Sequence, residues 1–70
     1  MSWVKDVYSS NVSTVGYDPE TLDLTITWTK GKRSIYSGVP AELADQLVTA
    51  PSVGSMVRTE VIPYYVHRYG

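Results

Sequence analysis

Between Leu22 and Thr29 the chain alternates strictly. Leu22, Leu24, Ile26 and Trp28 are apolar, while Asp23, Thr25, Thr27 and Thr29 are polar. Successive side chains of a strand point to opposite faces, so this run predicts a half-buried strand with one face on a core and one in water. Threonine favours strands and tolerates solvent, which keeps the outer face stable without making it sticky. Such a strand needs partners at its edges and a layer over its apolar face.

The flanking sequence supplies both. Val12 to Tyr17 reads as the preceding strand, joined through Asp18-Pro19-Glu20-Thr21, with Pro19 preset for the second position of a type I turn. Lys30-Gly31-Lys32 offers a glycine for the next tight connection, and Arg33 to Gly38 reads as a third strand, with Ile35 on the face opposite Ser34 and Tyr36. Pro40 suits the first turn of a helix, where its missing N–H costs nothing. Leu43, Ala44, Leu47 and Val48 then recur at helical spacing, Glu42 and Asp45 complement the helix dipole, and Pro51 ends the helix after Ala50. A short second helix is expected to start between Ser52 and Ser55 and to run to about Ile62, where Pro63 stops it. The stretch 64–69 fits an edge strand or an ordered tail, and Trp3, Val4, Val7 and Tyr8 are equally open. The expectation is a single α+β domain over residues 1–70: a three-stranded antiparallel meander covered by one main helix and one short helix, in two layers.

A chain of 70 residues hides only about 60% of the surface that its unfolded form exposes, so its stability needs support. There is no cysteine, which removes disulfides, thiolate zinc sites and thiol nucleophiles together. The one histidine, His67, has no carboxylate near it in sequence with which to hold a metal. Self-association into a dimer or tetramer is the remaining expectation.

Seven acids against six bases leave a net charge of −1, too little to neutralise the many phosphates of duplex DNA. The charges are sorted, however. Asp18, Glu20, Asp23, Glu42 and Asp45 lie in the first two thirds. Arg58, His67 and Arg68 lie in the last, opposed there by Glu60, and Lys30, Lys32 and Arg33 form a second basic cluster. No segment approaches the ~18 apolar residues of a membrane span, so no membrane partner is expected. Met-Ser-Trp-Val-Lys-Asp at the start has no apolar core of the signal-peptide kind, and with the missing cysteine this suggests the cytoplasm.

No constellation for chemistry is visible. The five glycines are scattered singly, without a phosphate-loop or dinucleotide pattern, and His67 lacks an orienting partner in sequence. A non-enzyme without cofactor or metal is therefore expected. What stands out is aromatic and cationic: six tyrosines and two tryptophans against no phenylalanine. Tyrosine keeps a hydroxyl for a wet partner, so rings facing solvent or an interface prefer it. Tyr64, Tyr65 and Tyr69 with Arg58 and Arg68 have the ingredients for stacking bases and holding phosphates, although the same tyrosines equally suit packing or a subunit interface. Trp28 is expected in the core. Ser52, Gly54 and Ser55 at a helix start offer N–H groups and hydroxyls to an anion, with Arg58 one turn on; an ordinary capped turn would look the same.

The order of these features resembles a known family. Val15-Gly16-Tyr17-Asp18-Pro19-Glu20, the alternating strand, Tyr36-Ser37-Gly38-Val39-Pro40 and Ala50-Pro51-Ser52-Val53-Gly54 are similar to the KTSC domain, over about residues 10–66. That domain occurs at the C-terminus of some lysyl-tRNA synthetases and as small stand-alone proteins of bacteria and phages, so the resemblance implies RNA binding. The family usually carries Tyr-x-Tyr in its third strand, where this chain has Ser34-Ile35-Tyr36, and aromatic residues after Ser-x-Gly, where this chain has Ser55-Met56-Val57. Of the family's strand rings only Tyr36 is kept, and base stacking would otherwise pass to Tyr64 and Tyr65.

The resulting expectation is a non-catalytic binder of a small nucleotide or short RNA, with Tyr36, Ser52, Gly54, Arg58, Tyr64, Tyr65, Arg68 and Tyr69 as ligand residues. A stand-alone oligomer encoded by a phage would act in the host cytoplasm as a sponge for a cyclic-nucleotide immune signal. Single-stranded RNA or tRNA binding and a protein–protein adaptor are the alternatives.

Overall fold

The computed structural model describes residues 2–69. Its elements are β1 (Trp3–Asp6), β2 (Val12–Asp18), β3 (Asp23–Trp28), β4 (Arg33–Tyr36), α1 (Ala41–Thr49), α2 (Val53–Met56) continued by a π-helical segment Val57–Val61, and β5 (His67–Tyr69). The strands form one antiparallel sheet in the order β1-β2-β3-β4-β5. The two-layer α+β architecture is as expected, but the sheet has five strands among the described residues where the sequence predicted three. Both additions are short edge strands whose outward residues are exposed, so neither carries the apolar alternation that marks a strand in sequence.

The apolar parity of β3 organises the core. Leu24 and Ile26 are fully buried under the helices. On β2 the register slips between Val12 and Thr14, so that two positions there oppose one on β3. This bulge turns Val12 and Val15, which have opposite parity, onto the same inner face, where both are buried. Ala44 and Leu47 of α1 and Val53, Val57 and Val61 of the second helical stretch close the core from the other side, with Leu43 and Val48 partly buried beside them. Tyr17 reaches across this core, and its hydroxyl donates a 2.6 Å hydrogen bond to the carbonyl of Val39, just before α1.

Four local expectations are corrected. Leu22 does not continue the apolar face of β3; it ends the turn with φ 61° and is 41% exposed. Its N–H donates to the Asp18 carbonyl, and the Asp18 carboxylate accepts from the Glu20 N–H, so the turn closes one residue later than the alternation implies. Strand β4 ends at Tyr36 rather than Gly38, because Gly38 turns with φ 74°. Pro40 is the N-cap of α1, extended at φ −68° and ψ 148°, and not part of its first turn. The second helical stretch ends near Ile62 as expected, but its last turn widens to π geometry, the Ile62 N–H donating to the Val57 carbonyl at 2.9 Å. Among the described residues no helix is long and apolar enough to cross a membrane.

Candidate functional site

The inner face of the sheet extends beyond the helices at its β4–β5 end, and there it is left open. The register aligns Ser34 with Tyr69 and Tyr36 with His67, so these four side chains share one face with Trp28 and Ile26. Ser34 is small and 4% exposed, and it forms the floor between larger neighbours. Trp28 donates from its indole Nε1 to the Ser34 hydroxyl at 3.1 Å, which fixes that ring against the floor. Tyr36, His67 and Tyr69 form a row of rings: Tyr36 and His67 lie 5.4 Å apart between centroids, and His67 meets Tyr69 edge-on at 5.4 Å and 84°. Burial raises the Tyr36 phenol above its usual range, an effect partly offset by a hydrogen bond with Ser34 and reinforced by Tyr69.

Three cations surround this aromatic floor. The β3–β4 turn is closed by Gly31, whose N–H donates to the Trp28 carbonyl while the Trp28 N–H donates to that of Lys32. Gly31 takes φ 94°, the three-residue hairpin geometry that sets Lys30 and Lys32 on the same lip. Opposite them, the π-helical segment presents Arg58, with Ile62 close by. The wider π turn is a recurrent device for placing functional side chains. Asn11, held where its carbonyl accepts from the Thr29 N–H, completes the rim. The cleft has a volume of about 430 Å³, and among the described residues no aspartate or glutamate lines it. None of Lys30, Lys32 and Arg58 makes an ion pair among the described residues. In a chain of net charge −1 this is a local concentration of positive charge, unpaired among the described residues, beside a row of tilted rings.

Of the residues singled out by sequence, Tyr36, Arg58 and Tyr69 come together in this cleft. The others do not. Arg68 pairs with Ile35 and so points to the opposite face of the sheet, where it binds Asp23 at 3.1 Å and Ser37 at 3.0 Å. Gly54 is buried, and a Cβ there would meet Ser9 and the Asn11 side chain at 3.4 and 3.9 Å, so this glycine lets α2 approach the β1–β2 connection. Ser52 occupies the N-cap position without a side-chain capping bond and lies outside the cleft. Tyr65 packs against the core, and Tyr64 is 71% exposed away from the cleft.

Trp28 is half-buried, touching the core on one side and the cleft on the other, rather than wholly internal. Sequence reasoning did not single out Asn11, Ser34 and His67, which line the cleft, and took Lys30 and Lys32 only as a charge cluster. The parity of β4 already placed Ser34 and Tyr36 on the face of Trp28, which was the available signal.

A second concavity, of about 480 Å³, lies on the open face over Gly16, Thr25 and Ile35. Asp18, Asp23 and Arg33 border it, two acids against one base, and threonines make up much of the rest, which suits solvent better than an anion.

Comparison with known proteins places this arrangement. The family model for the KTSC domain matches residues 8–65. A protein of Tsukamurella paurometabola is 36% identical over 62 residues, covering 89% of this chain and 92% of that protein. The crystal structure of a KTSC domain protein from Yersinia pestis superposes with a TM-score of 0.90 at 25% identity, over 100% of this chain and 99% of that one. The chain therefore belongs to the KTSC domain family.

Proposed function

We propose that this domain is a non-catalytic binding module for a nucleotide, whose base lies against the Trp28, His67 and Tyr69 rings, with Tyr36 buried beneath them, and whose phosphate is held by Arg58, Lys30 and Lys32. The observation that carries this reading is the coincidence, in one cleft of about 430 Å³, of an aromatic floor and three cations that, among the described residues, have no ion-pair partner and no acidic side chain beside them. Flat aromatic and Arg surfaces hold bases by stacking, at about 1–3 kcal/mol per base, with little regard for sequence. Cations on flexible stems hold phosphate at the rim, where they stay hydrated until the ligand arrives. The volume falls within the ~300–1,000 Å³ of small-molecule sites. A local patch of this kind suits a small nucleotide better than a long duplex, because the rest of the surface is near neutral.

Titration calorimetry with adenosine monophosphate, adenosine and inorganic phosphate tests the reading. The monophosphate is expected to bind at least tenfold more tightly than either half alone, since the two parts of the site act together. The result that would overturn it is no heat and no shift in melting temperature with the monophosphates of any of the four bases.

A further inference from the structure

A third hollow, of about 280 Å³, adjoins the cleft and is lined by Gly31, Lys32, Arg33 and Tyr69. It shares Lys32 and Tyr69 with the cleft and adjoins it at the β3–β4 turn, and Arg33, which alternates with Ser34 along its strand, reaches it from the opposite face of the sheet. Resting on the nucleotide reading above, we infer that this hollow is a second anion subsite and that the ligand class is a 5′-phosphorylated dinucleotide step rather than a mononucleotide.

Three observations support the second subsite. Arg33 is exposed and makes no ion pair among the described residues, in contrast to Arg68 on the neighbouring strand, which is neutralised by Asp23. Gly31, at φ 94°, has nothing within 4 Å of the place a Cβ would occupy, so the turn leaves room for a sugar–phosphate backbone to pass close. Tyr69 stands between the two hollows and is 74% exposed, which leaves most of its ring free for a second base. Among the described residues, no acidic side chain lines either hollow. Phosphates on either side of a base stacked near Tyr69 would then meet Arg58 with Lys30 in one hollow and Arg33 in the other, with Lys32 between them.

Calorimetry on the full chain with the dinucleotide pApA and with adenosine monophosphate decides the matter. The dinucleotide is expected to bind at least about tenfold more tightly, the gain of one further stacked base. Arg33→Ala is expected to weaken the dinucleotide, through loss of its second phosphate contact, and to leave the monophosphate unchanged, with a melting curve confirming the fold. Equal affinity of the two ligands, or an Arg33→Ala loss shared equally by both, would overturn the second subsite while leaving the first. Absence of binding by either ligand would remove the underlying reading as well.

Discussion

Replacing Tyr17 by phenylalanine removes a single oxygen, and the structure says what that oxygen does. The ring is 3% exposed, and its hydroxyl donates at 2.6 Å to the carbonyl of Val39, itself fully buried, tying the second strand to the entrance of the first helix. Phenylalanine keeps the apolar packing but leaves that carbonyl without this donor, and stranding one buried polar group costs about 1–3 kcal/mol. A domain of 70 residues holds roughly 4–10 kcal/mol in total at ~0.05–0.15 kcal/mol per residue. A loss of about 2 kcal/mol is therefore a large share, and it corresponds to a fall in melting temperature of about 8–16 °C for a chain of this size.

Thermal unfolding followed by circular dichroism measures it, and alkaline titration adds an independent signature. The Tyr17 phenol is raised above its usual range, first by burial and then by the charges of Asp18 and Asp45. The fold thus favours the protonated phenol. Its contribution is complete below about pH 10, the unfolded value, and is lost as pH rises through the folded value. The wild type should lose stability above pH 10, and Tyr17→Phe should lose it less steeply, keeping only the share due to Tyr36. A melting shift below about 2 °C, with an unchanged alkaline limb, would refute the reasoning.

Other outcomes follow from the same geometry. Gly31→Ala should destabilise the domain by about 1 kcal/mol, because φ 94° is costly for any residue with a Cβ even though nothing crowds it; urea unfolding reads the loss. Arg58→Ala should weaken nucleotide binding about tenfold while changing stability by less than about 0.5 kcal/mol, as expected of an exposed side chain. Arg68→Ala should leave binding untouched, since its guanidinium lies on the other face with Asp23; calorimetry on the two variants side by side separates these positions. Leu47→Ala, at a fully buried site, should cost about 2–5 kcal/mol and leave little folded protein at 37 °C by circular dichroism.

The strand with the cleanest alternation, Leu24 to Trp28, was legible because burial on one face imposes its period directly on the sequence. Strand β1 was not, and β5 was legible only as one of two possibilities for its stretch, because an edge strand with exposed outer positions is under no such constraint, and its existence depends on a neighbour rather than on its own residues. Leu22 shows the limit of periodicity from another side. It fits the apolar pattern, yet the turn bonds of Asp18 claim it for a left-handed conformation. The site divides in the same way. Tyr36, singled out through the family's third-strand pattern, and Arg58 and Tyr69, singled out by residue type, lie in the cleft, whereas Arg68 lies on the other face because its orientation depends on its pairing with Ile35, which only the register reveals. Ser34 escaped notice because its importance lies in being small, at a place where four larger side chains converge.

The central claim, that the cleft over Ser34 receives a nucleotide, has a built-in reporter. The chain has two tryptophans, and the indole N–H of Trp28 lies at the cleft floor, while Trp3 sits at the far edge of the sheet against Tyr17. Titration of adenosine monophosphate followed by amide and indole nuclear magnetic resonance should shift the Trp28 indole signal and leave that of Trp3 in place. A shift confined to Trp3, or saturable binding that moves neither indole, would contradict the account.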